Sequence, residues 1–125
     1  DAVDPAAFDA LDVPGGRAPE SIRLNPRVIE IVKHFGATKK PIAAVCHGPQ
    51  VLARAGLLRD RRMTAWPALE AEMRGAGALW EPNAVVVNDG RFIFSQDPWT
   101  IDAFTFALID ALSAKAGGNA RTRER

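Results

Sequence analysis

One ten-residue segment constrains the fold of this chain more than any other. Residues 41–50 read Pro-Ile-Ala-Ala-Val-Cys-His-Gly-Pro-Gln, so a short apolar run ends at Cys46, the only cysteine, and a helical pattern begins near Gln50. A buried strand that turns sharply into a helix exposes the residue at the turn and directs the helix N-terminus toward it. That field favours a thiolate, so the segment predicts that Cys46 is a nucleophile. A lone cysteine is more often a small buried side chain, but the strand, Cys-His-Gly and helix context favours the nucleophile.

Strand and helix patterns alternate along the rest of the chain. Strands are predicted at 8–13, 42–45 and 63–66, helices at 26–36, 50–55, 67–74 and 98–112, and a hairpin joins 85–87 to 92–94. That alternation predicts an α/β fold with a mostly parallel sheet and helices on both faces. Ligands lie beyond the carboxyl ends of the strands in such sheets. Gly15-Gly16 and Cys46-His47 both follow predicted strands, so we expect them to share one cleft.

Capping residues mark two of the helix starts. Asn25 followed by Pro26 is typical of an N-cap and a first helical residue. Thr100 is the predicted N-cap of the last helix. The apolar side chains available for burial on that helix are Ile101, Phe104, Phe106, Leu108 and Leu112.

Composition places the chain among globular proteins and excludes several classes. It has 125 residues, 47% hydrophobic and 25% charged, which fits one domain. One cysteine rules out an internal disulfide, and one cysteine with two histidines disfavours a structural zinc site. No apolar stretch is long enough to span a membrane and no signal-peptide pattern opens the sequence, so we expect a reducing cytoplasm.

The net charge of +1 is unevenly distributed. Residues 114–125 carry four basic side chains and one acidic one, so this tail is +3 and the remainder is −2. The tail has almost no apolar content, and we predict that it is a disordered, solubilising end. Nucleic-acid binding needs basic residues clustered on a folded face. We therefore expect neither a nucleic-acid nor a membrane partner.

A thiol that attacks a carbonyl needs a proton carrier and donors for the developing oxyanion. We expect Cys46 to attack and His47 to carry protons to the substrate, without a hydrogen bond from its ring to the neighbouring sulfur. The His47 backbone N–H is the natural oxyanion donor, and Gly15 and Gly16 allow a second N–H to approach closely. Pro-Gly-Gly is more often a plain tight turn, and that alternative stays open.

The remaining titratable side chains suggest no catalytic role by their pattern alone. His34 falls in the last turn of a helix, where a cation suits the helix dipole. Glu20, Glu70 and Glu72 are interpreted as solvated helix carboxylates.

Two motifs resemble the ThiJ/PfpI superfamily, in its PfpI-type branch of intracellular proteases and stress-induced protein deglycases. They are Pro-Gly-Gly-Arg-Ala-Pro-Glu at 14–20 and Ala-Val-Cys-His-Gly-Pro-Gln at 44–50. The resemblance implies a flavodoxin-like three-layer sandwich, related to class I glutamine amidotransferases, with the cysteine on a nucleophile elbow. It also implies that Cys46 and His47 are completed by a glutamate, Glu20, from a neighbouring subunit of a dimer or a hexamer.

The chain departs from this family pattern in three places. Family domains open with a strand-helix-strand unit that carries a glutamate hydrogen-bonded to the cysteine, and this sequence begins after that unit. Residues 1–113 are therefore expected to be the C-terminal two-thirds of one domain that lacks a central strand, within a longer native protein. Asp12 is unusual in a strand expected to be buried. Gln96 and Thr100 stand where the family commonly has arginine and aspartate.

The resemblance leaves three functions open. The first is a glyoxalase III-like or deglycase enzyme acting on methylglyoxal and its early adducts, without metal, other cofactor or glutathione. The second is an ATP-independent cysteine peptidase acting on proteins or peptides. The third is a redox sensor or holdase with a reversibly oxidised thiol. Glutamine amidotransfer is rejected, because no histidine follows His47.

Overall fold

The computed structural model describes residues 2–114 with their side chains, and of residues 115–124 it gives only the helix to which they are assigned. The strands are β1 (Leu11–Val13), β2 (Ile42–Val45), β3 (Arg62–Met63), β4 (Leu79–Trp80), β5 (Val86–Asp89) and β6 (Phe92–Ser95). The α-helices are α1 (Ala18–Ile22), α2 (Pro26–Gly36), α3 (Pro49–Arg54), α4 (Glu70–Gly75) and α5 (Ile101–Glu124). Short 3₁₀ turns cover Pro5–Ala7, Pro67–Leu69 and Pro98–Thr100.

A four-stranded sheet with the order β1-β2-β6-β5 forms the centre of the molecule. β1, β2 and β6 run parallel, and β5 pairs antiparallel with β6. β3 and β4 form a separate parallel pair. The prediction of an α/β fold with a mostly parallel sheet is confirmed. The sheet is continuous from β1 to β5 in the described residues, and the missing central strand stays a prediction.

Both faces of the sheet are covered, and β2 is therefore buried along its whole length. On one face, Val13, Ile42, Ala44, Phe92 and Phe94 pack with apolar side chains of α2 and α3. On the other face, alternate residues of the same strands meet α5. The layers are therefore helices, sheet and helix, as the predicted sandwich requires. They place the carboxyl ends of β1 and β2 side by side, since Val13 is in register with Ala44.

The helix caps confirm one prediction and correct another. The Asn25 side chain accepts hydrogen bonds from the backbone N–H groups of Arg27 and Val28, at 2.9 and 3.4 Å. Thr100 is not the N-cap of the last helical segment. Asp97 takes that place and accepts from the N–H groups of Trp99 and Thr100, because its backbone is extended and Pro98 already starts the helical turn.

Several expected elements differ in length or burial. The first strand occupies only Leu11–Val13, and the strand expected at 63–66 is Arg62–Met63. The hairpin at 85–94 forms as predicted. On α5, Phe104 is buried, whereas Ile101 and Phe106 are 46% and 67% exposed. The tail at 114–125 lies almost wholly beyond the residues with described side chains, so its expected disorder stays a prediction.

Within the described residues, no helix combines the length and the apolar character that crossing a membrane requires.

Asp12, which the sequence marked as unusual, is on the sheet face opposite Val13. It is in register with Ala43 of β2, and desolvation raises the pKa of its carboxyl above the ordinary value of 3.8. A raised carboxyl pKa means that ionisation destabilises the folded state, so stability is lost as the pH rises through the folded-state pKa. We therefore expect the charge at Asp12 to lower the stability of the fold at neutral pH.

We predict that Asp12→Asn raises the urea midpoint of unfolding at pH 7. The difference from the parent should shrink as the pH falls toward 3.8, where the unfolded carboxyl also becomes protonated. Asp9→Asn is the matched control, since it removes the same charge from a residue outside the sheet. A midpoint difference for Asp12→Asn that does not depend on pH would contradict the prediction.

Candidate active site

Cys46 lies immediately after β2, on a turn with strained backbone. Its φ of +59° is in the left-handed region, which costs a non-glycine residue about 1–3 kcal/mol. Two hydrogen bonds hold this backbone: Cys46 N–H donates to the Ser95 carbonyl, and Trp66 N–H donates to the Cys46 carbonyl, both at 2.9 Å. These bonds tie the Cys46 turn to the segments around Ser95 and Trp66, and they fix the position of the half-buried thiol. The predicted sharp turn from strand to helix is present.

Two glycines allow the elbow to pack against the end of β1. A Cβ added to Gly48 would lie 2.4 Å from the Val13 carbonyl oxygen and 3.0 Å from that of Val45. A Cβ added to Gly15 would lie 2.8 Å from Cys46 Cβ. No side chain fits at such distances. The turn after β1 and the turn after β2 can touch only because Gly15 and Gly48 have no side chain. No local sequence pattern indicates this role for Gly48.

We predict that Gly48→Ala lowers the free energy of unfolding by about 3 kcal/mol, because the added methyl meets strand backbone that cannot move aside. Urea titration followed by circular dichroism measures this change. Gly75→Ala, at the end of α4, is the matched control, since its added Cβ meets nothing within 4 Å. That variant should be as stable as the parent or slightly more so. Equal stability of the two variants would sink the prediction.

His47 contacts the thiol directly, contrary to expectation. Its Nδ1 is 3.1 Å from Cys46 Sγ, a hydrogen-bonding distance for sulfur. The expectation was that adjacent side chains cannot easily meet within one strained turn, and it was wrong because the left-handed backbone at Cys46 brings the two together. The imidazole also stacks on the Trp66 indole, with centroids 6.0 Å apart and planes at 23°. This stack fixes the ring beside the sulfur.

A cavity of about 560 Å³ opens in front of Cys46 and His47. Gly16 and Glu20 also line it, so most of the predicted site residues share one cleft. Gly15 is not on the cavity wall, but it packs directly behind Cys46. Since the cleft lies at the carboxyl ends of β1 and β2, it occupies the predicted place in the fold.

The backbone at this cleft offers unpaired donors. Within residues 2–114, the N–H groups of Gly16 and His47 have no hydrogen-bond partner. Gly16 has a φ of +81°, a conformation that favours glycine. Because glycine has no side chain, the cleft stays open at this position. These groups are suited to an anionic oxygen, although their role as oxyanion donors stays a prediction.

Glu20 is on α1, at the wall of its own chain's cavity. It is exposed, and its carboxylate has no hydrogen bond or ion pair among the described side chains. Glu72 behaves differently from the expected solvated carboxylate: it pairs with Arg23 at 2.9 Å and accepts from Gln50 Nε2 at 3.1 Å. Of the three glutamates considered, Glu20 is the one that lines the cavity with Cys46, and its catalytic role stays a prediction.

Four further residues line the cavity that sequence reasoning did not select: Arg17, Trp66, Pro98 and Trp99. Arg17 belongs to the quoted motif at 14–20, and that could have drawn attention to it. Trp66 and Trp99 come from segments far from Cys46 in sequence, so no local signal indicated them. Within the described residues, no three His, Cys, Asp or Glu side chains group as metal ligands would.

Comparison with known proteins gives consistent results. The sequence profile of the DJ-1/PfpI family matches residues 1–111. A deglycase of Pyrococcus abyssi is 46% identical over 110 residues, which are 88% of this chain and 66% of that protein. Deglycase PfpI of Pyrococcus furiosus is 43% identical over 112 residues, 90% of this chain and 67% of that protein. The chain thus spans about two thirds of the length of these curated relatives.

Solved structures share the fold. A two-domain protein from Anabaena variabilis, with DJ-1/ThiJ/PfpI-like and ferritin-like domains, superposes with a TM-score of 0.86 at 38% identity. The match covers 90% of this chain and 32% of that one. The flavodoxin-like sandwich implied by the two sequence motifs is therefore confirmed.

Proposed function

The chain belongs to the DJ-1/PfpI family, and on that premise we propose that it is a cysteine-dependent enzyme acting on reactive carbonyls. The proposed activity is that of a glutathione-independent deglycase with glyoxalase III-like chemistry. Relatives that carry the name deglycase support it. The observation that carries it is the contact of 3.1 Å between Cys46 Sγ and His47 Nδ1 at the wall of an open cavity.

In the first step the Cys46 sulfur adds to the aldehyde carbon of methylglyoxal. A carbon–sulfur bond forms, and the carbonyl becomes a hydroxyl as the thiol proton passes through His47 to the oxygen. The free N–H groups of His47 and Gly16 are the proposed donors to that oxygen. The product is a hemithioacetal. For an adduct on an amine, the same attack breaks the carbon–nitrogen bond, and the amine leaves with the proton.

In the second step the hemithioacetal isomerises without any external oxidant. Glu20 removes the hydrogen of the sulfur-bearing carbon as a proton and returns it to the adjacent carbon, while the hydroxyl proton moves to the oxygen on that adjacent carbon. The first carbon is thereby oxidised to a thioester and the second is reduced to an alcohol. Water then cleaves the thioester, which yields lactate and the free thiol.

We also propose that the native protein is a homo-oligomer, a dimer or a hexamer, in which Glu20 acts across the interface. An exposed carboxylate at a cavity mouth, unpaired within the described residues, is available to an adjacent copy as well as to its own chain. A cytoplasmic location is proposed as well, since a reducing compartment keeps a lone thiol active.

The test of the proposed function is product stoichiometry without glutathione. The native protein should convert methylglyoxal to lactate in equal amounts, and mass spectrometry of acid-quenched enzyme should find the covalent adduct on Cys46. Metal chelators should leave the rate unchanged. A folded protein that consumes no methylglyoxal but cleaves peptides would shift the assignment to a peptidase. A protein that does neither, but whose thiol oxidises reversibly, would shift it to a sensor.

A further inference from the structure

Three side chains outside the catalytic cavity form a hydrogen-bonded network: Arg23, Glu72 and Gln50. The Arg23 guanidinium pairs with one carboxylate oxygen of Glu72 at 2.9 Å, and the other oxygen accepts from Gln50 Nε2 at 3.1 Å. None of the three lines the cavity in front of Cys46. The network therefore does not contact a substrate bound there, and the proposed chemistry does not use it.

Both ends of the network are bonded to the backbone of proposed site residues. Arg23 Nε donates to the Glu20 carbonyl at 3.2 Å. At the other end, Gln50 N–H donates to the His47 carbonyl at 3.0 Å, within the elbow. Glu72 lies between these two ends, on helix α4, which carries no residue of the catalytic cavity. It thus connects helix α1, which carries Glu20, to helix α3, which follows the elbow.

Helix α1 has little other hydrogen-bonded support. Within the part of the chain that the structure describes, the bond from Arg23 to Glu72 is the one hydrogen bond that joins residues 17–24 to a distant segment. A helix of five residues does not hold its shape and place in water by itself, so it depends on tertiary contacts. Buried Pro19 supplies apolar contact, which has no direction. The bond to Glu72 has a direction, so it fixes the orientation of α1 and the backbone of Glu20.

The burial of Gln50 indicates that this network does more than stabilise the fold. Gln50 is 6% exposed, and its Oε1 has no hydrogen-bond partner within the described residues. A buried amide with an unpartnered oxygen is unfavourable to folding, and a partly exposed ion pair contributes little stability in return. Packing alone would favour an apolar side chain at this place. The amide is explained if its task is to hold the Glu72 carboxylate in position.

We infer that Glu72 is a positioning residue for Glu20. It holds the Arg23 guanidinium, which in turn holds the backbone of Glu20, and Gln50 ties the carboxylate of Glu72 to the elbow. This inference rests on the proposed function, in which Glu20 moves the proton of the hemithioacetal. The network lies within the subunit that carries Glu20, so it positions that carboxylate for its own cavity and for a neighbour's alike. Loss of Glu72 should slow the proton transfer and leave the thiol reactive.

The experiment measures glutathione-free turnover of methylglyoxal by Glu72→Ala. We expect kcat to fall about tenfold, because a displaced general base transfers the proton less often. Alkylation of Cys46 by iodoacetamide should keep the wild-type rate, since the network does not contact the thiol. Methylglyoxal deuterated at the aldehyde carbon should show a full primary isotope effect on kcat in this variant, because removal of that hydrogen becomes the slowest step. Glu70→Ala is the matched control: Glu70 is on the same helix, pairs with Arg74 at 2.9 Å and does not line the cavity.

A double-mutant cycle tests whether the effect passes through Glu20. In the Glu20→Gln background, Glu72→Ala should change kcat by less than about twofold, because the carboxylate to be positioned is already gone. Glu72→Gln should retain most of the wild-type kcat. Its amide oxygen can accept from Arg23, and its NH₂ group can donate to Oε1 of Gln50 once the Gln50 amide turns over. Urea titration should give similar midpoints for Glu72→Ala and Glu70→Ala.

Two outcomes would overturn the inference. One is a wild-type kcat in folded Glu72→Ala, and the other is a loss that is equally large in the Glu20→Gln background. If Glu72→Ala does not fold, Arg23→Met removes the same ion pair from its other end and should show the same loss and the same dependence on Glu20. A wild type that consumes no methylglyoxal would instead defeat the proposed function. The two failures are distinguishable, because the first two outcomes leave wild-type turnover intact.

Discussion

Replacing Cys46 by alanine is expected to reduce methylglyoxal consumption at least about a thousandfold, because no other side chain can form the hemithioacetal. Cys46→Ser should be almost as inactive, since a hydroxyl is a far weaker nucleophile than a thiol at neutral pH. Lactate formation without glutathione is the measurement. Residual turnover in Cys46→Ala within tenfold of the wild type would exclude covalent catalysis by this residue.

Stability measurements separate this effect from misfolding. Alanine and serine have a Cβ, so they bear the same left-handed φ of +59° as cysteine, and their unfolding free energies should stay close to the parent's. Cys46→Gly relieves that conformation and should be more stable by about 1 kcal/mol while remaining inactive. An inactive variant that is more stable than the wild type would show that activity is lost because the thiol is missing and not because the protein misfolds.

Glu20→Gln is expected to lower kcat about a hundredfold, because the amide keeps the shape of the side chain but cannot take a proton. Glu30→Gln on α2 is the matched control, since Glu30 is an exposed helix carboxylate that does not line this cavity. The rate of methylglyoxal loss measures both. A Glu20→Gln enzyme with full activity would remove this residue from the proposed mechanism.

Co-expression of two inactive chains tests whether Glu20 acts across an interface. Chains with Cys46→Ala and chains with Glu20→Gln, paired at random in a dimer, would rebuild about a quarter of the sites if the glutamate comes from the neighbour. They would rebuild none if it serves its own chain. Recovery of activity in the mixture therefore supports the interface, and its absence assigns Glu20 to the cavity it lines here.

The sequence allowed the layers of the fold to be predicted because their signals are local. Asn25-Pro26, the apolar run before Cys46 and the turn between β5 and β6 each act through neighbouring residues, and the structure has all three. The position of the thiol at the carboxyl end of a parallel strand followed from the same signals.

What could not be predicted depends on dihedral angles or on distant segments. The contact between Cys46 and His47 requires a positive φ that no composition rule reveals. Trp99 reaches the cavity only through the pairing of β6 with β2, which are far apart in sequence. Asp97 rather than Thr100 caps the last helical segment because Pro98 sets its start.

The hydrogen bonds at the elbow have a consequence for how this protein folds. The backbone of Cys46 is held by Ser95 and by Trp66, so the reactive turn needs segments that are about 50 and 20 residues apart in the chain. Contacts of such separation form late, after local helices and the hairpin. Partly folded chains then lack the contact between Cys46 and His47 and the cavity in front of it. The proposed catalysis therefore requires the completed sheet, which ties it to the last stage of folding.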